Sequence, residues 1–330
     1  MAATSFGSVI CPTMAVSLFT DDRFGPVELR PVAPLALHPA AHVLHYGSSC
    51  FEGLKAHRGR DGEIRVFRLD RHVRRMAVSA ELLCLPVPPA DLLDGMVRDV
   101  VAANRAVVPE PPGALYLRPV LIGTEENIGS AAQPSATAML YVIASPVGDY
   151  FDSSRALTVA IETELPRTTP QFGQVKTGAN YAMALGITRR ARAEHGADQV
   201  LFAPGGDAQE TGASNFLLID GARIVTKALD RSFLHGVTRD SILTLASESV
   251  YDIEERDLPV AEIVERAPDV EMALSGTAAV LAPVGTLIHE GRAITVGDGS
   301  AGVRTTKLRE SLLAVQRGEA PDRWGWTTTV

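Results

Sequence analysis

The stretch VKTGANYA, residues 175–182, places Lys176 shortly before Gly178, Asn180 and Tyr181. A solvated surface lysine needs no such neighbours. A lysine that forms a Schiff base with a carbonyl cofactor needs a special setting. Its amine must be kept nucleophilic by desolvation or by nearby positive charge. The small residues around it suit a lysine where a strand or loop meets a helix. The lysine alone leaves both readings open.

The elements that would position it follow from periodicity. The segment 38–59 mixes short apolar runs with Gly47, Gly53 and Gly59 and reads as strand–loop–strand. EIRVFRL (63–69) alternates and is rich in β-formers, which predicts a strand. Asp70 is then placed to cap a helix over 71–84, with Val73, Met76, Ala77, Ala80 and Leu83 on its core face. A second helix is predicted over 90–105 and strands over 113–123 and 136–145. The polar, turn-rich PVGDYFDSSRA (146–156) reads as a domain linker.

Beyond the linker, a strand is predicted over 157–163. Asn180 is placed to cap a helix running to His195, which Gly196 closes. Strands are expected at 198–203, 214–219, 222–227, 271–275, 278–284 and 286–296. Helices are expected after Thr238, as its cap, and over 302–316. Strands and helices mix without regular βαβ alternation, which predicts an α+β fold in two domains. The expected boundaries are 1–147 for a smaller N-terminal domain, 148–157 for the interdomain loop and 158–330 for a larger C-terminal domain.

Composition bounds what such a site serves. Of 330 residues, 46% are hydrophobic and 21% charged, so a large core is available and global disorder is excluded. The net charge of −8, with no Lys/Arg run, argues against nucleic acid and polybasic membrane contacts. Cys11, Cys50 and Cys84 are few and widely spaced, which suits free thiols in a reducing compartment. No CxxC or Cys/His cluster points to a metal. The N-terminus lacks a basic region followed by an unbroken apolar run, so no signal peptide is expected. A cytoplasmic location is the expectation.

Six segments occur in a telling order: FEGLKAHRG, YLRPVLIGTEENIG, VKTGANYA, QETGASNFLLI, HGVTRDSILTLA and SGTAAVLAPV. Together they resemble the branched-chain amino-acid aminotransferases, pyridoxal-phosphate enzymes of the fold-type IV, or class IV, aminotransferase family. The resemblance spans roughly residues 35–315 and implies a D-amino-acid-aminotransferase-like, two-domain fold with mixed sheets and flanking helices.

The resemblance implies that Lys176 bonds the cofactor and then moves the proton between the substrate α-carbon and the cofactor. Tyr181 matches a tyrosine that bonds the cofactor's phenolic oxygen. Glu210 matches the acid that faces the pyridine nitrogen, with Asn215 supporting its loop. The backbone amides of Val237 and Thr238, and the hydroxyls of Thr238 and Thr277, match phosphate donors. Among the arginines of RLDRHVRRMAVSAELL, Arg75 falls in the register of the phosphate ligand, while Arg68, Arg71 and Arg74 read as surface or supporting charges.

For the substrate, Gly276, Thr277 and Ala278 resemble a carboxylate-binding turn. Tyr46 and Arg118 match positions near that carboxylate. Phe51, Tyr116, Ile128 and Tyr150 match the lining of an apolar side-chain pocket. The implied partners are amino acids, 2-oxo acids and a second copy of the chain, as a homodimer or larger homo-oligomer.

The implied reaction moves the amino group of leucine, isoleucine or valine to 2-oxoglutarate. The same signals leave open a D-amino-acid or (R)-amine aminotransferase, an aminodeoxychorismate lyase, or an aminotransferase for an unusual branched substrate. Ser130 stands where some relatives carry an apolar residue, and Ala213 where some carry threonine; both bear on side-chain preference. Ala279 and Ala282 replace a redox CxxC known in some animal relatives.

Overall fold

The computed structural model describes residues 6–148 and 155–330. The chain divides into two compact units. Unit 1 comprises Met1–Gly148, Val175–Gly178 and Val315–Val330; unit 2 comprises Asp149–Gln174 and Ala179–Ala314. The short segment carrying Lys176 thus belongs to unit 1, although the chain on both sides of it belongs to unit 2.

Unit 1 is built on one sheet. In chain order its elements are β1 (Thr13–Thr20), β2 (Arg23–Phe24), β3 (Glu28–Pro31), α1 (His42–Tyr46), β4 (Ser49–Phe51), β5 (Leu54–Arg58) and β6 (Ile64–Phe67). These continue into α2 (Leu69–Leu82), α3 (Ala90–Ala103), β7 (Ala114–Gly123) and β8 (Ala138–Val147). The sheet runs from a C-terminal strand, Thr327–Thr329, through β6, β5, β7, β8 and β1 to β2. β3 adds to β1 and β4 to β7.

α2 is amphipathic and buries Leu69, Val73, Met76 and Ala80 against the sheet and α3. Each large apolar side chain buried this way contributes about 1.5–3 kcal/mol. The helix starts at Leu69, after Arg68 in left-handed conformation (φ 51°), so Asp70 lies inside the first turn and does not cap it. Arg68 takes this backbone while its guanidinium lies 4.8 Å over the Trp326 ring and its N–H bonds Trp326 O. Trp326 in turn stacks on Trp324 and meets the edge of Phe67. The tail is therefore part of the unit 1 sheet. Within 38–59, α1 occupies residues expected to be extended.

Unit 2 contains β9 (Leu157–Glu162), α4 (Gly178–His195), β10 (Gln199–Phe202), β11 (Glu210–Thr211), β12 (Asn215–Asp220) and β13 (Arg223–Thr226). Next come α5 (Val237–Ser247), β14 (Asp252–Glu255), α6 (Val260–Arg266), β15 (Glu271–Gly276), β16 (Val280–His289), β17 (Arg292–Thr295) and α7 (Val303–Gln316). The strands pair in the order β11, β10, β9, β16, β15, β12, and β11 also pairs with β12. These six strands close into a ring, with β13 and β14 continuing from β12 and β17 from β16. Leu157, Val159, Leu201, Phe216, Leu218 and Leu274 belong to its apolar core.

Three local expectations change here. α4 starts at Gly178, so Asn180 lies inside its first turn. The Asn180 side chain is engaged elsewhere: Oδ1 accepts from Thr168 Oγ1 at 2.7 Å and Nδ2 donates to Phe172 O at 3.0 Å. α5 is preceded by Gly236 as its N-cap, and Thr238 is its second residue. The expected strand 286–296 is divided: β16 runs to His289, and Glu290 (φ 50°) and Gly291 (φ 74°) turn the chain into β17. Positive φ at both central residues is the hairpin geometry that matches strand twist. Among the described residues, no helix is long and apolar enough to cross a membrane.

Candidate active site

In unit 1 the lysine segment is tied down through its backbone. Lys176 N–H donates to Ser79 Oγ of α2 at 3.1 Å, and Lys176 O accepts from Phe51 N–H at 3.0 Å. Val175 and Thr177 on either side are buried, while Lys176 is half-buried. Its Nζ lies 5.0 Å from the centroid of the Phe51 ring. The Arg118 guanidinium lies 4.5 Å from the same centroid, so one aromatic ring is neighbour to two cations.

Arg118 also donates from Nη2 to Tyr116 Oη at 2.9 Å. Tyr116 and Arg118 project from β7, which pairs with β4 through Phe51↔Val120 and with β5 through Lys55↔Tyr116. Gly53 lies between those strands. A Cβ there would overlap the Tyr116 hydroxyl, so the glycine of FEG is a close-approach position. Tyr46, at the end of α1, donates its hydroxyl to Ile128 O. Ile128 itself is exposed, and Ser130 is buried with its Oγ lacking a hydrogen-bond partner among the described residues. Tyr150 lies outside the described residues.

Arg75 projects from α2 and forms a fork on Glu52, from Nε to Oε1 at 2.7 Å and from Nη2 to Oε2 at 2.9 Å. His72 Nδ1 lies 2.7 Å from Glu52 Oε2. Burial pushes the His72 pKa down, and Arg75 and Lys176 push it the same way against the opposing pull of Glu52.

In unit 2 the fixed point is Glu210, at the start of β11. It is 2% exposed. Its Oε1 accepts from Arg167 Nη1 at 2.7 Å and from Leu234 N–H at 2.9 Å. Arg167 also donates from Nε to Gly212 O at 3.3 Å, and its guanidinium lies 5.2 Å from the Tyr181 ring centroid. Tyr181 is on the first turn of α4. Arg167 therefore joins Glu210 and Tyr181, and it was not singled out from the sequence.

Asn215 reaches the same loop. Its Nδ2 donates to Leu234 O at 2.9 Å and lies 3.5 Å from Glu210 Oε2. Its Oδ1 occupies the space that a Cβ at Gly236 would need. Gly236 opens α5 without a side-chain cap. The first-turn amides of Val237 and Thr238 have no acceptors within the helix, which is the usual anion-binding end. Thr277 and Ala278 form the turn between β15 and β16, half-buried and followed by Val280 at φ 62°. Left-handed backbone at a β-branched residue is strained by about 1–3 kcal/mol and marks a turn held by its surroundings.

The donor chemistry suits a phosphorylated pyridine aldehyde. Unit 1 offers an amine beside an aromatic ring and an arginine held in a fixed plane. Unit 2 offers a buried carboxylate, a tyrosine and an uncapped helix start. Among the described residues, two buried hydroxyls beside these segments lack partners: Thr177 Oγ1, next to Lys176, and Ser275 Oγ, at the base of the Thr277 turn. Buried polar atoms left this way call for a ligand or water.

Comparison with known proteins gives the same answer. The family model for amino-transferase class IV matches residues 49–287. Branched-chain-amino-acid aminotransferase 2 of Bacillus subtilis (strain 168) is 35% identical over 338 residues, covering 99% of this chain and 92% of that protein. The branched-chain-amino-acid aminotransferase of Mycolicibacterium smegmatis is 36% identical over 341 residues, with coverage of 99% and 92%. Among solved structures, the T.th. branched-chain amino acid aminotransferase complexed with N-(5'-phosphopyridoxyl)-L-glutamate has a TM-score of 0.78 at 25% identity. That match covers 96% of this chain and 98% of the other. The Escherichia coli enzyme has a TM-score of 0.77 at 26% identity, with coverage of 96% and 98%. With its α+β fold of type IV, this chain belongs to the class IV aminotransferases and, among them, to the branched-chain-amino-acid aminotransferases.

Proposed function

We propose that the protein transfers the amino group of L-leucine, L-isoleucine or L-valine to 2-oxoglutarate, reversibly and with pyridoxal phosphate as cofactor. The observation that carries the reading is the buried Glu210–Arg167 pair beside Tyr181, in a chain that also keeps the Lys176 segment. A carboxylate kept ionised in a core needs a partner cation, and Arg167 supplies one.

Pyridoxal phosphate, when bound, supplies an electron sink for the negative charge that develops at the substrate α-carbon. Lys176 would hold the cofactor covalently and, once released, its amine would take the α-proton and pass it on to the cofactor. The Glu210 carboxylate would keep a proton on the ring nitrogen. Tyr181 would donate its hydroxyl to the phenolic oxygen. Arg75, the Val237 and Thr238 amides, and the Thr238 and Thr277 hydroxyls would hold the phosphate. The turn amides at Thr277 and Ala278 would hold the substrate carboxylate, and Tyr46 and Arg118 are further candidates to recognise it. Phe51 would line the apolar side-chain pocket. This reading treats unit 2 as the cofactor-binding domain; unit 1 is not the smaller of the two, because it also takes Val175–Gly178 and the tail Val315–Val330.

The active form in this reading is a cytoplasmic homodimer or a larger homo-oligomer.

Visible absorption tests the reaction directly. The purified protein should be yellow and lose its visible band when L-leucine is added without any 2-oxo acid. A band that ignores L-leucine and responds to D-glutamate would keep the cofactor and overturn the substrate. A protein that stays colourless after added pyridoxal phosphate would overturn the reading from Lys176 onward.

A further inference from the structure

Glu52, the acid of FEG, has no part in the reaction as described. It is nevertheless 0% exposed and surrounded by donors. Arg75 holds both its oxygens, at 2.7 and 2.9 Å. His72 Nδ1 and Gly53 N–H reach Oε2 at 2.7 and 3.1 Å. The backbone is fixed as well, with Glu52 N–H donating to Pro119 O at 2.9 Å.

Burial alone would raise the Glu52 pKa. Arg75 and His72 overcome it and hold the carboxyl well below the usual carboxylate range. An ionised Glu52 requires the hydrogen of His72 to sit on Nδ1. Burial favours the neutral form of that ring against the pull of Glu52. In that form His72 orients Glu52 without competing with Arg75 as a cation.

A long arginine side chain normally loses rotamer entropy when it is ordered. The fork on Glu52 removes that freedom before any ligand arrives. It also fixes the plane in which the guanidinium meets an anion. We propose that Glu52 is a positioning residue for the cofactor phosphate, acting by locking the Arg75 guanidinium through its two carboxylate oxygens. The inference rests on the reading of Arg75 as a phosphate ligand.

The test compares two aldehydes that differ only in phosphate. The full-length protein, freed of cofactor, is titrated with pyridoxal phosphate and with pyridoxal, and the ratio of the two dissociation constants is the readout. Glu52→Gln should reduce the preference for the phosphorylated form by tenfold or more. Pyridoxal affinity should change less than threefold. Glu52→Asp keeps the charge but is one methylene too short to hold the fork, and should shift the ratio the same way by less. It also serves if the glutamine variant does not fold. Equal weakening of both aldehydes would mean a merely structural role and overturn the proposal. If Arg75→Ala reduces the ratio and neither Glu52 variant does, the proposal fails while the Arg75 assignment stands. If Arg75→Ala leaves the ratio unchanged, that assignment fails and the proposal falls with it.

Discussion

Arg167 Nη1 donates to Glu210 Oε1 at 2.7 Å, and the two side chains are only 2% and 3% exposed. A buried pair of this kind is costly to break, because removing one partner strands the other charge. Such losses are typically about 3–5 kcal/mol. Arg167→Met keeps most of the volume and removes the charge. The variant should lose stability by that amount, read as a lower denaturant midpoint. Its kcat should fall at least tenfold at saturating cofactor. An unchanged midpoint together with unchanged kcat would show that Glu210 does not depend on Arg167.

The contrast between Lys176 and Arg167 shows what the chain discloses before folding. Lys176, Tyr181 and Glu210 stand in segments whose residue types are unusual together. Arg167 stands in TELPRTTPQFG, which has no periodicity and no motif, and its role depends on meeting residues 14 and 43 positions away. The main helices and strands were legible because apolar periodicity reports a buried face. The ring in unit 2 was not, since it closes through β11, a strand of two residues. The strand Thr327–Thr329 was equally hidden, because its partner β6 lies some 260 positions earlier. Helix starts also moved. Asn180 carries a good capping side chain, but Thr168 and Phe172 engage it from outside the helix.

Gly53 and Tyr116 make a second test. A Cβ at residue 53 overlaps the Tyr116 hydroxyl, which itself accepts from Arg118. Gly53→Ala should therefore push Tyr116 and Arg118 away from their present positions and raise KM for both the amino acid and 2-oxoglutarate, by about tenfold if about 1.4 kcal/mol of binding is lost. Adding Tyr116→Phe removes the overlapping oxygen and should recover part of the folding loss. It should not recover KM, because Arg118 still lacks its acceptor. Kinetics of the single and double variants decide this.

His57 governs an acid response. It is buried, and both ring nitrogens lack hydrogen-bond partners among the described residues. Burial pushes its pKa down to about 3, with Lys55 and Arg317 adding to the effect. In the unfolded chain the same group titrates near its ordinary value of about 6.5. Between these values the unfolded chain holds a proton that the folded chain refuses, so stability falls as pH drops from about 6.5 towards about 3. Above about 6.5 the histidine contributes no slope. His57→Leu should flatten this part of the stability curve and move acid unfolding to lower pH. It should also stabilise the protein near neutrality by about 1–2 kcal/mol, since two buried unpaired nitrogens are removed. Denaturant melts across pH are the measurement, and an unchanged slope would sink the assignment.

Gly236 links the helix start to the Glu210 loop. Its α-carbon packs so closely on Asn215 that a Cβ would overlap Oδ1. Asn215 cannot retreat without giving up Leu234 O, and Leu234 N–H is itself a donor to Glu210. Gly236→Ala should therefore disturb two proposed cofactor contacts at once: the amides that open α5 and the orientation of Glu210. The expected result is a loss of pyridoxal phosphate affinity of tenfold or more, with the pyridoxal affinity also reduced because Glu210 serves the ring. Asn215→Ala removes the colliding atoms. If the collision is the cause, Gly236→Ala combined with Asn215→Ala should bind cofactor no more weakly than Asn215→Ala alone, a strongly non-additive outcome. Additive losses would place the effect of Gly236 in the helix start itself, apart from Asn215.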